Sequence, residues 1–316
     1  MGPVPRPLPA TAPPRHRGGR GRVKEWWIMQ FDEITVGTVA VGVDGSTSSD
    51  HALTWAVEEA TATGRALTLV HAVAPYAAVA PEAAQYAKIA LEAAEAGGQA
   101  VLTAARSVAH GKAPDLEVRE LLRVADSRDT LIEVARHAHL LVLGSRGRGP
   151  VRSLLLGSVG IAVTRHAECP VVVVRPTRHG IVRLGVLVGV DGTERSRDPL
   201  ELACREASQR GLPLTVVHAQ LLPHGRHDEE EGLLLLGETV GGLREKYPDV
   251  PIHSELTAGY PGERLVEMAE RMDLVVVGSH HGGVASEVLL GSVASFVVEH
   301  ASCPVAVVPT VPRTRG

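Results

Sequence analysis

Short aliphatic runs alternate with longer amphipathic ones along this chain. Val36–Val43, Leu67–Val73, Leu116–Leu122, Leu140–Gly144 and Val171–Val174 are four to eight residues long and show no strict in–out alternation. Runs of that kind suit strands buried on both faces of a parallel sheet. Between them the apolar positions recur at helical spacing. Leu53, Ala56, Val57 and Ala60 form one stripe; Leu131, Val134, Ala135 and Ala138 form another; Val159, Ala162, Val163 and His166 form a third. Gly64 reads as the C-terminal stop of the first helix. The predicted order is strand, helix, strand, helix, strand, helix, strand, loop, helix, strand, with right-handed crossovers.

That order is written twice. "VAVGVDGSTSSD" (39–50) returns as "VLVGVDGTERSR" (186–197), so Asp44 corresponds to Asp191 at an offset of 147. "LTLVHA" returns as "LTVVHA" at the same offset, and Leu200, Ala203, Cys204 and Ala207 repeat the first stripe, followed by Gly211. Farther on the offset is 134: "LLVLGS" (140–145) matches "LVVVGS" (274–279), and "HAECPVVVV" matches "HASCPVAVV". The second copy is therefore 13 residues shorter somewhere between Ala219 and Leu274. The expected fold class is α/β, with two tandem domains, each an open five-stranded, mainly parallel sheet with helices on both faces. The expected boundaries are a tail at 1–35, a first domain at 36–176, a linker at 177–182, a second domain at 183–310 and a tail at 311–316.

Composition narrows this further. Aromatic residues are 3% of the 316, so Val, Leu, Ile and Ala must build the core. A formal charge of −4 gives no reason to expect nucleic-acid binding. Three scattered cysteines make no disulfide framework, which with the absence of a long apolar run favours a reducing, cytoplasmic setting without a membrane span. Residues 1–28 are rich in Pro, Arg and Gly, without periodic apolar positions. Met29 opens a stretch that reads as a natural start, which makes a misplaced start one explanation to expect for the tail.

The candidate chemistry lies at the carboxyl ends of the predicted strands, where open parallel sheets bind ligands. "VDGS" follows the first strand. "LGSRGRGPVRSLLLGSVG" (143–160) follows the fourth and carries five glycines and three arginines without an acid. Glycine lets a ligand approach bare backbone, successive amides can cradle an anion, and a helix N-terminus attracts phosphate. Ser158 is expected to cap that helix.

These residues resemble the universal stress protein family, whose ATP-binding members carry G-x2-G-x9-G-[S/T] after the fourth strand. Here Gly144, Gly147, Gly157 and Ser158 fill that spacing, Asp44 ends the first strand, and "HAECPVVVV" resembles the family's last helix and strand. The likeness spans both copies, about residues 36–310, and implies two Rossmann-like domains binding ATP, with Mg2+ on the phosphates. It implies that Asp44 and Ala72 lie near adenosine, and that Gly144, Arg146, Gly147, Gly157, Ser158 and Val159 surround the phosphates. The matching positions in the second copy are Asp191, Ala219, Gly278, His280, Gly291, Ser292 and Val293. The family's last strands pair between domains, so the two copies are expected to pair within the chain, and two chains to associate as a homodimer. The implied role is nucleotide-dependent stress response or signalling without a catalytic centre. A slow ATPase or adenylyl-transferring enzyme, and a scaffold that has lost nucleotide binding, stand as alternatives.

The second copy departs from the pattern. Its middle glycine is His281, which costs about 1–2 kcal/mol if the position needs left-handed backbone. Its loop carries Glu287 and no Lys or Arg. The first copy is therefore expected to bind ATP more tightly. Protonation of His280 and His281, at an ordinary pKa of about 6.5, would make the second loop basic in acid. No zinc spacing includes these histidines with His218 and His224. His71 and His218 read as structural, Cys169 and Cys303 as turn or packing residues, Cys204 as core, and "HDEEE" (227–231) as a solvated helix start.

Overall fold

The computed structural model describes residues 35–75, 84–147, 156–176, 184–221, 226–279 and 290–310. The expected tail, linker and C-terminal tail lie outside these, apart from Thr35.

The first copy runs β1 (Val39–Gly42), α1 (Thr47–Thr63), β2 (Leu67–Val73), α2 (Ala84–Lys112), β3 (Val118–Val124), α3 (Ser127–Ala135), β4 (Leu140–Gly144), α4 (Ser158–His166) and β5 (Val171–Val174). The second runs β6 (Val186–Val190), a 3-10 turn (Glu194–Ser196), α5 (Arg197–Arg210), β7 (Leu214–Gln220), α6 (Arg226–Lys246), β8 (Ile252–Ala258), α7 (Pro261–Ala269), β9 (Leu274–Gly278), α8 (Ser292–His300) and β10 (Val305–Val308). The two five-stranded halves join edge to edge into one sheet of order β3-β2-β1-β4-β5-β10-β9-β6-β7-β8. Every pairing is parallel except the central one, where Val172 on β5 sits opposite Ala306 on β10. The expected pairing of the copies is thus made within the chain.

The aliphatic runs explain the sheet. Val39, Val41, Leu67, Leu69, Leu140 and Val142 are buried, as are Val186, Val188, Leu214, Val216 and Val276. Both faces are covered: α1 packs over β1, β4 and β5, while α3 and α4 pack together on β4 and β5. The predicted stripe Leu53, Ala56, Val57, Ala60 is the buried face of α1, and Leu200, Ala203, Cys204, Ala207 that of α5. Gly64 and Gly211 end these helices in left-handed conformation, at φ of 62° and 61°.

Three local departures have physical causes. β1 begins at Val39 rather than Val36, because Gly37 turns the chain at φ 67° and Thr38 bonds back to Thr35 O. β3 lies two residues later than its pattern suggests. It is the edge strand, paired among the described residues with β2 alone, and so tolerates Arg119, Glu120 and Arg123. The 13-residue difference falls before Lys246: α2 has 29 residues against 21 in α6, and the connection before α2 has ten residues against five.

Candidate functional site

β1 lies beside β4, and β6 beside β9, so the loops that follow these strands meet at one edge of the sheet in each copy. The turn after the first strand depends on glycine. Gly45 and Gly192 sit at φ 73° and 77°, in the left-handed region. Each turn is stapled by the preceding aspartate. Asp44 Oδ1 accepts from Ser46 N at 3.0 Å, and Asp191 Oδ1 accepts from Thr193 N at 3.0 Å.

The copies then diverge. In the first, Ser46 caps α1 by accepting from Ser49 N, and the helix starts at once. Its first turn lies flat on the end of β4. A Cβ on Gly144 would fall 2.6 Å from Ser48 O, which only glycine accommodates. Ser48 Oγ accepts from Arg146 N at 3.3 Å, tying the two loops together. Gly147 follows with non-left-handed backbone, and a Cβ there would fall 2.8 Å from Asp44 Oδ2. The position does not need left-handed backbone; a side chain there would meet the tip of Asp44, which would have to move aside.

In the second copy the same turn is a 3-10 segment. Ser196 folds back, its Oγ donating to Asp191 Oδ1 at 2.7 Å and accepting from Asp191 N at 3.0 Å. Thr193 Oγ1 adds a third donor to Oδ1 at 2.8 Å. Burial opposes ionisation of Asp191, but the bonds from Thr193 and Ser196 outweigh it and lower its pKa. The turn does not press on β9. The nearest atoms to a Cβ on Gly278 would be side-chain carbons of Thr310 and Pro199, at 3.2 and 3.4 Å. Here a cavity of about 270 Å³ opens, lined among others by Asp191, Arg195, Ala219, Gly278 and Val293. Four expected site residues thus share one cavity. His280 and His281 lie outside the described residues, as do Arg148 and Arg152.

The helix after the fourth strand starts one residue earlier than expected. Gly157 (φ −70°, ψ 156°) is the N-cap of α4 without a side-chain cap, and Ser158 is the first helical residue. Gly291 does the same for α8, ahead of Ser292. Gly157 N donates to Ser145 O at 3.1 Å and Gly291 N to Ser279 O at 2.7 Å, pinning both helix starts to the strand ends. The amides of Ser158, Val159 and Gly160 have no intrahelical carbonyl to bond. Ser158 and Arg146 are exposed, Ala72 and Gly144 half-buried.

His71 Nδ1 lies 2.6 Å from Val43 O, and His218 Nδ1 3.0 Å from Val190 O. A carbonyl only accepts, so Nδ1 carries the proton and the ring ties the second strand to the end of the first. Both histidines are structural in this sense, as their sequence context suggests. Sequence reasoning missed Arg175. It is buried at the end of β5, and its Nη2 donates to Val298 O and, at 2.8 Å, to Glu299 O near the C-terminus of α8. The guanidinium faces the negative end of that helix and fastens one copy to the other. No periodic pattern marks such a residue.

The universal stress protein family profile matches residues 35–175 and again 185–309. The chain belongs to the universal stress protein family, as a tandem member. A universal stress protein of Mycolicibacterium smegmatis is 36% identical over 283 residues, covering 85% of this chain and 96% of the relative. One from Mycobacterium tuberculosis H37Rv is 35% identical over 282 residues, with the same coverage. Among solved structures, a universal stress protein from Archaeoglobus fulgidus shares the fold with a TM-score of 0.64 at 16% identity, covering 86% of this chain and 98% of that one. No helix among the described residues is long and apolar enough to cross a membrane.

Proposed function

We propose that this tandem universal stress protein binds an adenine nucleotide, ATP above all, in the crevice at the carboxyl ends of the strands in each copy, and that occupancy is what its stress role reads. The observation that carries this is the cavity in the second copy. It brings Asp191, Ala219, Gly278 and Val293 together from four separate segments. Its volume, about 270 Å³, lies just below the range of about 300–1,000 Å³ usual for small-ligand pockets. In the first copy the matching residues sit on the same strand ends, and the loop keeps its full glycine spacing.

The phosphates belong at the N-terminus of α4, where the amides of Ser158, Val159 and Gly160 supply donors and the helix dipole favours an anion. A hydrogen bond to a charged group contributes about 1.5–3 kcal/mol, so three or four support roughly micromolar affinity once binding costs are subtracted. Arg146 adds charge at the mouth. Among the described residues no group of three or more His, Cys, Asp or Glu could hold a metal ion. The described residues thus offer no metal cage, and Mg2+ enters as the counter-ion of the phosphates.

Calorimetric titration of ATP into the full chain tests this, with Ser158→Asp as the probe. Aspartate in a first turn is compatible with the helix but repels phosphate. Saturable binding, weakened about tenfold or more at the first-copy site by Ser158→Asp, is expected. Indifference to Ser158→Asp contradicts the phosphate placement.

A further inference from the structure

The second copy has exchanged the groups around its crevice. Arg146 in the loop after β4 corresponds to His280, and Gly147 to His281. In the loop after the first strand, Ser48 corresponds to Arg195, and beyond the last strand Pro176 corresponds to Thr310. The second-copy loop after the fourth strand has thus lost its arginines, while a new arginine and a new hydroxyl stand elsewhere around the same crevice.

Both new groups line the cavity. Arg195 reaches it because the turn there is a 3-10 segment standing off β9. The first-copy equivalent, Ser48, is pressed against Gly144 and bonded to Arg146 N. Thr310 meets the cavity beside Gly278, where a Cβ would fall 3.2 Å from its methyl group. It is 3% exposed, and its Oγ1 has no hydrogen-bond partner. Asp191, in the same cavity, keeps its charge, with Oδ1 already bonded by Thr193 and Ser196.

Resting on the nucleotide reading above, we propose that the second copy holds the phosphate end of its nucleotide through Arg195 rather than through the loop after β9. The two sites then recognise one ligand class with cations from opposite loops. Arg195 determines preference for phosphorylated ligands in the second copy, as Arg146 does in the first.

Hydrogen–deuterium exchange on the full chain tests this, because peptides covering residues 186–199 and 39–50 report the two sites separately. ATP and adenosine are titrated into wild type, Arg195→Gln, Thr310→Val and Arg146→Gln, with far-UV circular dichroism to confirm folding. In wild type, ATP protects residues 186–199 at concentrations about tenfold or more below those adenosine needs, the factor one charge-assisted hydrogen bond supplies. Arg195→Gln abolishes that preference while adenosine protection stays within about twofold; Thr310→Val leaves the preference within about twofold; Arg146→Gln affects only residues 39–50. An undiminished preference in Arg195→Gln overturns the inference and leaves nucleotide binding standing. Equal protection by ATP and adenosine in wild type does the same. Protection by neither, at millimolar ligand, overturns the nucleotide reading together with the inference.

Discussion

In the first copy the helix after β1 begins at Thr47 and its first turn rests on the end of β4; in the second the same stretch winds as a 3-10 turn and leaves a cavity over β9. The strands beneath are nearly interchangeable. Duplication has kept the aliphatic sheet, whose buried positions accept little change, while the loops at its carboxyl edge have been free to differ. A fold-level match to the family therefore says more about the sheet than about what each crevice holds.

The sharpest asymmetry lies where Arg210 bridges α1 and α5. Glu59 and Glu206 occupy equivalent positions on α1 and α5 and are 0% and 1% exposed. One cation serves both: Arg210 reaches Glu59 Oε2 and Glu206 Oε2, each at 3.0 Å, and stacks over Trp55. Its equivalent in the first copy is Thr63, which bonds Glu59 O instead. The largest expected effect follows. Arg210→Ala leaves the buried Glu59–Glu206 pair without this counter-charge and should cost about 3–5 kcal/mol, read as a lowered urea midpoint at about pH 8, above the Glu59 pKa of about 7. Thr63→Arg, adding a second cation on the mirror side, should recover part of it.

Next comes the contrast between Gly144 and Gly278. A Cβ at 144 would lie 2.6 Å from backbone oxygen, whereas at 278 it would meet side-chain methyl and methylene groups at 3.2 and 3.4 Å. Gly144→Ala should destabilise by about 1–3 kcal/mol, and Gly278→Ala by clearly less. Equal losses in thermal unfolding would show that the second-copy turn rests on its strand after all.

The cluster of Glu59, Glu206 and Arg210 also sets a pH dependence. Burial, then the neighbouring Glu206 charge, raises the pKa of Glu59 from 4.5 to about 7, with Arg210 opposing. The folded chain thus binds more protons than the unfolded one between these values. Stability from this group is full below about pH 4.5 and is lost as pH rises through about 7, with a slope of at most about 1.4 kcal/mol per pH unit for one proton. Denaturant titrations from pH 5 to 8 should show this fall in wild type and a flatter profile in Glu59→Gln.

The smallest effect concerns helix caps. Asp126 caps α3 by accepting from Arg128 N at 2.8 Å. Its counterpart Tyr260 gives α7 no side-chain cap. Asp126→Ala should cost about 1 kcal/mol, and Tyr260→Asp should gain about 0.5–1 kcal/mol, both read as shifts in melting temperature.

Much of this architecture was legible in the sequence because it is local or periodic. Unalternating aliphatic runs gave the strands, stripes gave the helix faces, and the double offset gave the two copies. Asp44, Gly144 and Gly157 were legible from their spacing around strand ends. What escaped depends on contacts between distant segments. The glycine at 147 reads as a turn residue until Asp44 is seen beside it. Glu59 and Glu206 read as ordinary polar positions on amphipathic helices until the two helices meet. Thr310 and Arg195 carry no motif, and only the cavity brings them together. Ser158 was placed one position off as the cap, because glycine and serine both suit that role and only the backbone angles decide.

The central claim is that the crevices at the strand ends bind adenine nucleotides. Isothermal calorimetry of ATP into the nucleotide-stripped full chain tests it most directly. The account predicts saturable binding with micromolar affinity at the tighter site, weakened by Ser158→Asp. An absence of binding at millimolar ATP by the folded chain would contradict it.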